Sequence, residues 1–415
     1  MRIWEEGYVA DTVAFDMMHA QMVFIVEGGP LRLPDGSLDR ARILRHIDAS
    51  VASLEFFRLR LQRSVLGLTP PAWVPDEDFD INRHVVFADG TASLTSENLW
   101  DLAGRSEGLM SLKHPLWRFR LTELDNGDVA LGGIFHHASL DGMSAMKLLS
   151  TMTQKAPDAP EGTPQNPFTS ARAATALELP WLALRDWLHE QPSFRTAWQS
   201  YWRRPPSRRL RRVGGRCLRP WRDRLRKDSS RRNQLPPRHS DFRIMDSKVV
   251  AQRSNELDGT ISDLLVAAVI RSYDGPDQEV SLRFPVSHHG GGAGSARNLV
   301  SDMRLHGSVN QELGPLMRSL RRQIESRGSQ AADVSTPVGR QIGYATLLPW
   351  VSRPRYFCGA QITAVVPFPA GLGTDDLSAG AMLYNGDLSV TVTAQVTSDV
   401  SSIVDRVHDF MTGKA

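Results

Sequence analysis

FHHASLDGMS, residues 135–144, puts two histidines at the end of an apolar run and an Asp-Gly pair just ahead of a helical pattern. The text before it, WRFRLTELDNGDVALGGIFHH (117–137), reads as two strands about a hairpin, since Asn126 and Gly127 both tolerate positive φ. DGMSAMKLLSTMT (141–153) carries apolar residues at helical spacing. The histidine pair therefore sits at a strand end, before a helix, a rigid place from which to aim a side chain. Neighbours on extended backbone point to opposite faces, so His136 and His137 cannot share one role. An imidazole there is a candidate general base, because its pKa lies near neutrality. By spacing alone, a histidine at a strand end is more often a hydrogen-bonded structural residue, and Asp-Gly more often a turn. Gly142 permits close backbone approach. The chain has no G-x-S-x-G elbow, Walker loop or Cys/His cluster at zinc spacing. The histidine would act directly on a substrate, without a metal.

Outward from that corner the chain mixes α and β patterns in both halves. MVFIVEGG (22–29) reads as a strand. LDRARILRHIDASVASLEFFRLRL (38–61) has a helical pattern with Asp39 as a cap near its start, and TASLTSENLWDLAGRSEGLM (91–110) reads as a second helix. Residues 154–169 are Pro-rich and polar, a linker, and a helical pattern follows from about Ser170 to Trp202. In the second half, ISDLLVAAVIRSY (261–273) is a buried helix by pattern, VSLRFPVS (280–287) a strand, and GPLMRSLRRQIESRG (314–328) an amphipathic helix. AQITAVVPF (360–368) and GDLSVTVTAQV (386–396) alternate like strands, and SSIVDRVHDFM (401–411) closes the chain as a helix. The expected organisation is α/β: an N-terminal lobe over 1–165, a helical and basic linker over 166–240, and a C-terminal lobe over 241–415. A ligand cleft between the lobes follows from that layout.

A chain of 415 residues is long for one core, which also favours two lobes. Cys217 and Cys358 are too few for a disulfide framework. Acids near the start, in MRIWEEGYVADTVAFD, do not suit a signal peptide, and no apolar run is long enough to span a bilayer, so the expected setting is cytoplasmic. Residues 203–232 hold 14 Lys or Arg and 2 Asp, a local charge of +12 in a chain whose total is +3. Such a patch attracts anions: phosphate, an acidic protein or lipid headgroups, with nucleic acid the weaker candidate. The same segment reads equally as a solvated linker. His288-His289 precede a glycine-rich loop with no acid or cysteine at ligand spacing, so a loop is the reading there.

HHASLDG (136–142) resembles the HHxxxDG motif of the chloramphenicol acetyltransferase and condensation-domain superfamily, and the chain more closely resembles the wax ester synthase/diacylglycerol acyltransferase family. PAWVPDEDFDINRHV (71–85), HPLWRFRLTEL (114–124), TISDLLVAAV (260–269), FPVS and RNLVS (284–287, 297–301) and the stretch from Phe357 to Gln395 resemble that family's blocks, in order. Three places depart from it: QIGYATLLPWVSRP (341–354) stands where a T-N-V-P-G stretch is usual, Ser262 replaces an asparagine, and Arg297 a glycine.

The resemblance implies two chloramphenicol-acetyltransferase-like lobes about a central tunnel. It implies an acyltransferase that moves an acyl group from a thioester to a hydroxyl, forming a wax ester or acylglycerol. His137 is then the base, and Asp141 pairs with an arginine, for which Arg58 and Arg60 are the candidates. Gly142 keeps the loop tight, His136 is structural, and Ser139 and Asn298 line the substrate path. Trp73 and Trp117 are packing anchors. Coenzyme A or phosphopantetheine enters as the thioester co-substrate, with no cofactor held permanently. The alternatives are a stand-alone condensation-like enzyme, taking its acyl group from an acyl carrier protein and using an alcohol or amine acceptor, and a non-catalytic lipid- or partner-binding relative. A membrane surface is a further partner the resemblance admits.

Overall fold

Two six-stranded sheets dominate the computed structural model. It describes residues 19–52, 54–69, 71–104, 110–137, 139, 142–160, 172–189, 238–287, 300–326, 339–368, 376–395 and 399–414. The first half supplies β1 (His19–Val26), α1 (Arg40–Ala52), β2 (Leu59–Gln62), β3 (Ala72–Pro75), β4 (Val85–Ala92), α2 (Leu99–Leu102), β5 (Trp117–Leu124), β6 (Val129–His136), α3 (Gly142–Met152) and α4 (Leu179–His189). The second supplies β7 (Arg238–Asp246), α5 (Ser247–Glu256), α6 (Ile261–Arg271), β8 (Glu279–Ser287), β9 (Val300–Ser308), α7 (Leu313–Ser326), β10 (Arg340–Pro349), β11 (Tyr356–Phe357), β12 (Ala360–Phe368), β13 (Leu377–Tyr384), β14 (Asp387–Gln395) and α8 (Val400–Thr412).

The first sheet runs β11-β12-β1-β6-β5-β4 and the second β7-β14-β13-β10-β8-β9, while β2 and β3 form a small hairpin. The expected β5–β6 hairpin is present: Gly127 takes φ +89°, and Asn126 Oδ1 accepts from the Asp128 amide at 3.1 Å. Trp117 then lies opposite Phe135. Asp39 caps α1 as expected, accepting from the Arg42 amide at 3.0 Å. The helix stops at Ala52, however, and the FRLRL end of the expected helix turns instead into a 3-10 turn and β2. Alternation in LRLQ, paired with AWVP of β3, outweighs the helical spacing there. Among the described residues of the helix expected over 91–110, only Leu99–Leu102 is helical; Thr91 and Ala92 belong to β4. A side chain at Gly132 would meet the Leu102 carbonyl at 1.9 Å, so glycine is what lets α2 end directly on β6.

In the second sheet, one face is closed by α6, α7 and α8. Leu264, Leu265, Val269, Leu316, Leu320, Val404 and Val407 bury themselves against Leu282, Leu305, Ala379, Val390 and Val392. Thr260 and Asp263 form a reciprocal capping box that starts α6. The first sheet packs α1 and α3 on one face, around Phe24, Ile43, Ile47, Phe119, Leu121, Phe135 and Leu149.

The sheets do not follow the division expected at residue 241. β11 and β12 come late in the chain yet complete the first sheet: β12 pairs antiparallel with β1, Gln21 opposite Phe368. Met382 and Tyr384 of β13 also bury themselves in the first core, and Tyr384 donates from its hydroxyl to the Ile362 carbonyl at 2.8 Å. A second joint lies at Asp241, which accepts from Ser96 Oγ at 2.5 Å and Ser401 Oγ at 2.8 Å. Burial would raise that carboxyl, but these bonds, with those from Phe242 and Arg243, hold it below its usual value.

Candidate active site

β6 delivers His136 at its last position, and α3 begins at Gly142, so the corner read from the sequence is present. His136 is wholly buried. Its amide donates to the Leu116 carbonyl at 3.0 Å, and its ring meets that of His19 edge-on, with centroids 5.1 Å apart. Its carbonyl accepts from both the amide (2.8 Å) and the hydroxyl (2.5 Å) of Ser139. The buried Ser139 hydroxyl thus has a loop-shaping job, turning the chain from strand into helix. His137 is half-buried in the turn itself. One imidazole is sealed in the core and its neighbour is not, a split that alternation on extended backbone anticipates. Asp141 and Asn298 lie outside the described residues, as do His288, His289, Arg297 and all of 203–232.

The two candidate arginines have partners of their own. Arg58 is 5% exposed and pairs with Asp48 of α1, with its guanidinium 3.8 Å over the Phe79 ring. Burial pulls its pKa down, against the opposing charge and hydrogen bond of Asp48. Arg60 donates to Gln62 Oε1 at 2.9 Å and comes within 3.9 Å of the Asp76 carboxylate, which also lies 3.3 Å from His114.

A stack beneath Arg58 was not anticipated from the sequence. Phe79 lies parallel to His84 at 5.1 Å, and His84 to Trp117 at 4.3 Å. Trp117, anticipated as an anchor, is 2% exposed and donates its indole N–H to the Phe57 carbonyl at 2.9 Å. Trp73 packs, half-buried, on Leu61, Met110, Leu116 and Ile134. His84 Nδ1 lies 2.8 Å from the Trp117 carbonyl, which fixes the tautomer that donates there. Burial, the largest cause, lowers its pKa from 6.5 to about 4, so this histidine stays neutral. The stack joins the 71–85 block to the 114–124 block under the strand that ends in the histidine pair. A signal existed in the order of aromatic and histidine residues across those blocks, but no spacing rule pairs them.

No group of three metal-binding side chains occurs among the described residues. A groove of about 560 Å³, lined by Arg172, Leu177, Glu178 and Trp181 among others, lies along α4, and neither His136 nor His137 lines it.

Residues 14–213, just under half of the chain, match the family model of the wax ester synthase/diacylglycerol acyltransferase catalytic domain, and the resemblance read from the motif blocks is borne out. A probable diacylglycerol O-acyltransferase of Mycobacterium tuberculosis is 27% identical over 160 residues, 38% of this chain and 59% of that protein. A second one from the same organism is 34% identical over 94 residues, 22% of this chain and 21% of that protein. The chain thus spans about 59% of the first of these relatives and less of the other. Over nearly its whole length it shares a fold with the wax ester synthase/diacylglycerol acyltransferase of Marinobacter aquaeolei VT8 (TM-score 0.58, 17% identity, 95% of this chain, 93% of that one). The first condensation domain of the CDA synthetase is as similar (TM-score 0.59, 14% identity, 98% of this chain, 94% of that one). The fold is therefore the mixed α/β architecture of two chloramphenicol-acetyltransferase-like lobes.

Proposed function

We propose that the chain is an ester-forming acyltransferase that passes an acyl group from a thioester, acyl-CoA in the first instance, to a hydroxyl acceptor of the long-chain alcohol or acylglycerol type. The observation that carries this reading is the HHASLDG corner, one imidazole buried and one half-buried, within the residues that match an acyltransferase catalytic domain. His137 takes the proton of the acceptor hydroxyl. The oxygen bonds to the acyl carbon, the carbon–sulfur bond breaks, and the imidazolium returns the proton to the departing thiolate. Base and acid are one residue, and the chemistry passes through no acyl-enzyme. In this reading Asp141 and Gly142 hold the turn, Ser139 shapes it, and Asn298 lies along the substrate path. A tunnel shared by donor and acceptor supplies rate through proximity.

One solved structure of this fold, a starter condensation domain, is described in complex with C8-CoA (TM-score 0.55, 13% identity, 96% of this chain), which is in keeping with a coenzyme A donor here. The condensation-domain likeness and the +12 charge of residues 203–232 support a second donor form, an acyl chain on an acidic carrier protein. Contact with an anionic membrane surface is supported by that same charge and by an exposed apolar patch of Leu66, Leu68, Leu177, Trp181 and Leu184. The two parts of the patch are tied together by the Val65 amide donating to the Ala176 carbonyl at 2.9 Å. No described helix is long and apolar enough to cross a membrane.

The test is an ester-product assay on wild type and His137→Ala. It uses acyl-CoA against the same acyl chain on a carrier protein, and diacylglycerol against a long-chain alcohol, with acceptor presented in anionic vesicles at low and high salt. Loss of roughly 10²- to 10⁴-fold in the variant, with an unchanged fold, is expected. Undiminished turnover would falsify the role of His137.

A further inference from the structure

Helix α3 has one end at the histidine corner, and its other end is fixed from the far half of the chain. Arg355, in the segment between β10 and β11, is 8% exposed. Its Nη2 donates to the carbonyls of Ser150 (2.7 Å) and Thr153 (2.6 Å), and its Nε donates to Thr153 Oγ1 at 2.9 Å. Ser150 is in the last turn of α3 and Thr153 directly follows it, where no intrahelical donors remain for their carbonyls. The Arg355 amide donates to the Tyr384 hydroxyl at 2.9 Å. Next to it, Gln154 and Tyr356 exchange both backbone hydrogen bonds, at 2.7 and 3.0 Å. His46 of α1 adds a contact from Nε2 to the Met152 carbonyl at 2.7 Å.

No carboxylate among the described residues pairs with Arg355. A buried guanidinium with only neutral partners is costly to keep. What it gains here is the negative end of a helix dipole and three acceptors in a fixed fork. Packing alone would be served better by an apolar side chain. We infer that Arg355 is a positioning residue: by locking the C-terminal end of α3 to the late segment that completes the first sheet, it fixes where the N-terminal end holds the His136–Gly142 corner.

The activity arm of the test rests on the acyl-transfer reading; a hydrogen-exchange arm does not. In Arg355→Gln, assayed where circular dichroism shows a folded protein, kcat is expected to fall roughly 10- to 100-fold while KM stays within about twofold, since small misplacements act on the reacting geometry. Arg355→Lys, which keeps the charge, should recover part of the loss. Amide exchange along α3 and at the His136 N–H should quicken in Arg355→Gln, with exchange in the second sheet unchanged. Thr153→Val, a milder cut of the same fork, should move both readouts the same way and serves if Arg355→Gln does not fold. Wild-type kcat in folded Arg355→Gln overturns the inference, and so does a fall in kcat without faster exchange at the corner. If the wild type makes no ester at all, the acyl-transfer reading fails, and exchange at His136 alone decides the role of Arg355.

Discussion

The two cores of this molecule are made of different material. The one behind the second sheet is aliphatic: among the described residues its buried members are Leu, Val, Ile, Ala and Met, with Tyr273 the one buried aromatic. The first is built on rings, with Phe24, Phe57, Trp117, Phe119, Phe135, Phe357 and Tyr384 in one cluster. The histidines buried among the described residues, His19, His46, His84 and His136, all lie in the first lobe. Aliphatic packing is forgiving and brings no buried imidazole with it. Ring packing is directional, and each buried imidazole demands a partner or a fixed charge state. The lobe that presents the candidate base is therefore the one whose interior is shaped most narrowly, while the other serves as a platform and lends the strands and the arginine that complete it.

Substitutions can break that contrast. Phe119→Ala is expected to cost about 4 kcal/mol, because it empties the site between Trp117 (5.5 Å) and Phe135 (5.6 Å). Leu265→Met, a swap of similar volume in the other core, should cost less than about 1.5 kcal/mol. Urea midpoints measure both, and a loss well above about 1.5 kcal/mol for Leu265→Met would mean that the aliphatic core is not the more forgiving one.

Acid provides a second way to separate them. With the folded pKa of His84 lowered to about 4 and the unfolded one near 6.5, the unfolded chain takes up a proton first as pH falls. Stability should hold above pH 6.5, decline between 6.5 and 4 by about 3 kcal/mol, and level off on this account below 4. A His84→Gln variant, less stable at neutral pH, should show a flatter profile across that window. A wild-type curve that is flat from 6.5 to 4 would remove His84 as the sensitive group.

The smallest effect belongs to the platform, at the capping box that starts α6. Thr260 Oγ1 accepts from the Asp263 amide at 3.2 Å, and Asp263 also receives Arg321 at 2.8 Å. Thr260→Ala should cost about 1 kcal/mol, read as a modest drop in thermal midpoint, and leave turnover untouched.

How much of this could be read beforehand follows the same line. Local rules were enough for the Asn126-Gly127 hairpin, the Asp39 cap, α6, α7, α8 and the strand-to-helix corner at His136–Gly142, because each is decided within a dozen residues. The FRLRL stretch went the other way, since its partner strand and not its own periodicity settles its form. Nothing local marks β12 as a member of the first sheet, or Arg355 as a clamp on α3, because their partners are brought together only by the closed fold. The stack through His84 was hidden for the same reason. Its members lie in blocks whose family resemblance was clear, but resemblance says which residues recur and not which rings touch.

The pairing of β1 with β12 sets the order in which the molecule can be finished. While the chain is being made, β1, β6, β5 and β4 can assemble early, but one margin of β1 keeps its amides and carbonyls unsatisfied until Ala360–Phe368 leaves the ribosome. The half that carries the histidine pair is thus the first to be synthesised yet waits for residues 360–368 to be closed, and the second sheet waits longer still, for β13 and β14. Any stall before residue 360 exposes a sticky β edge, so chaperone dependence should track the speed of that final stretch of translation and not the length of the chain.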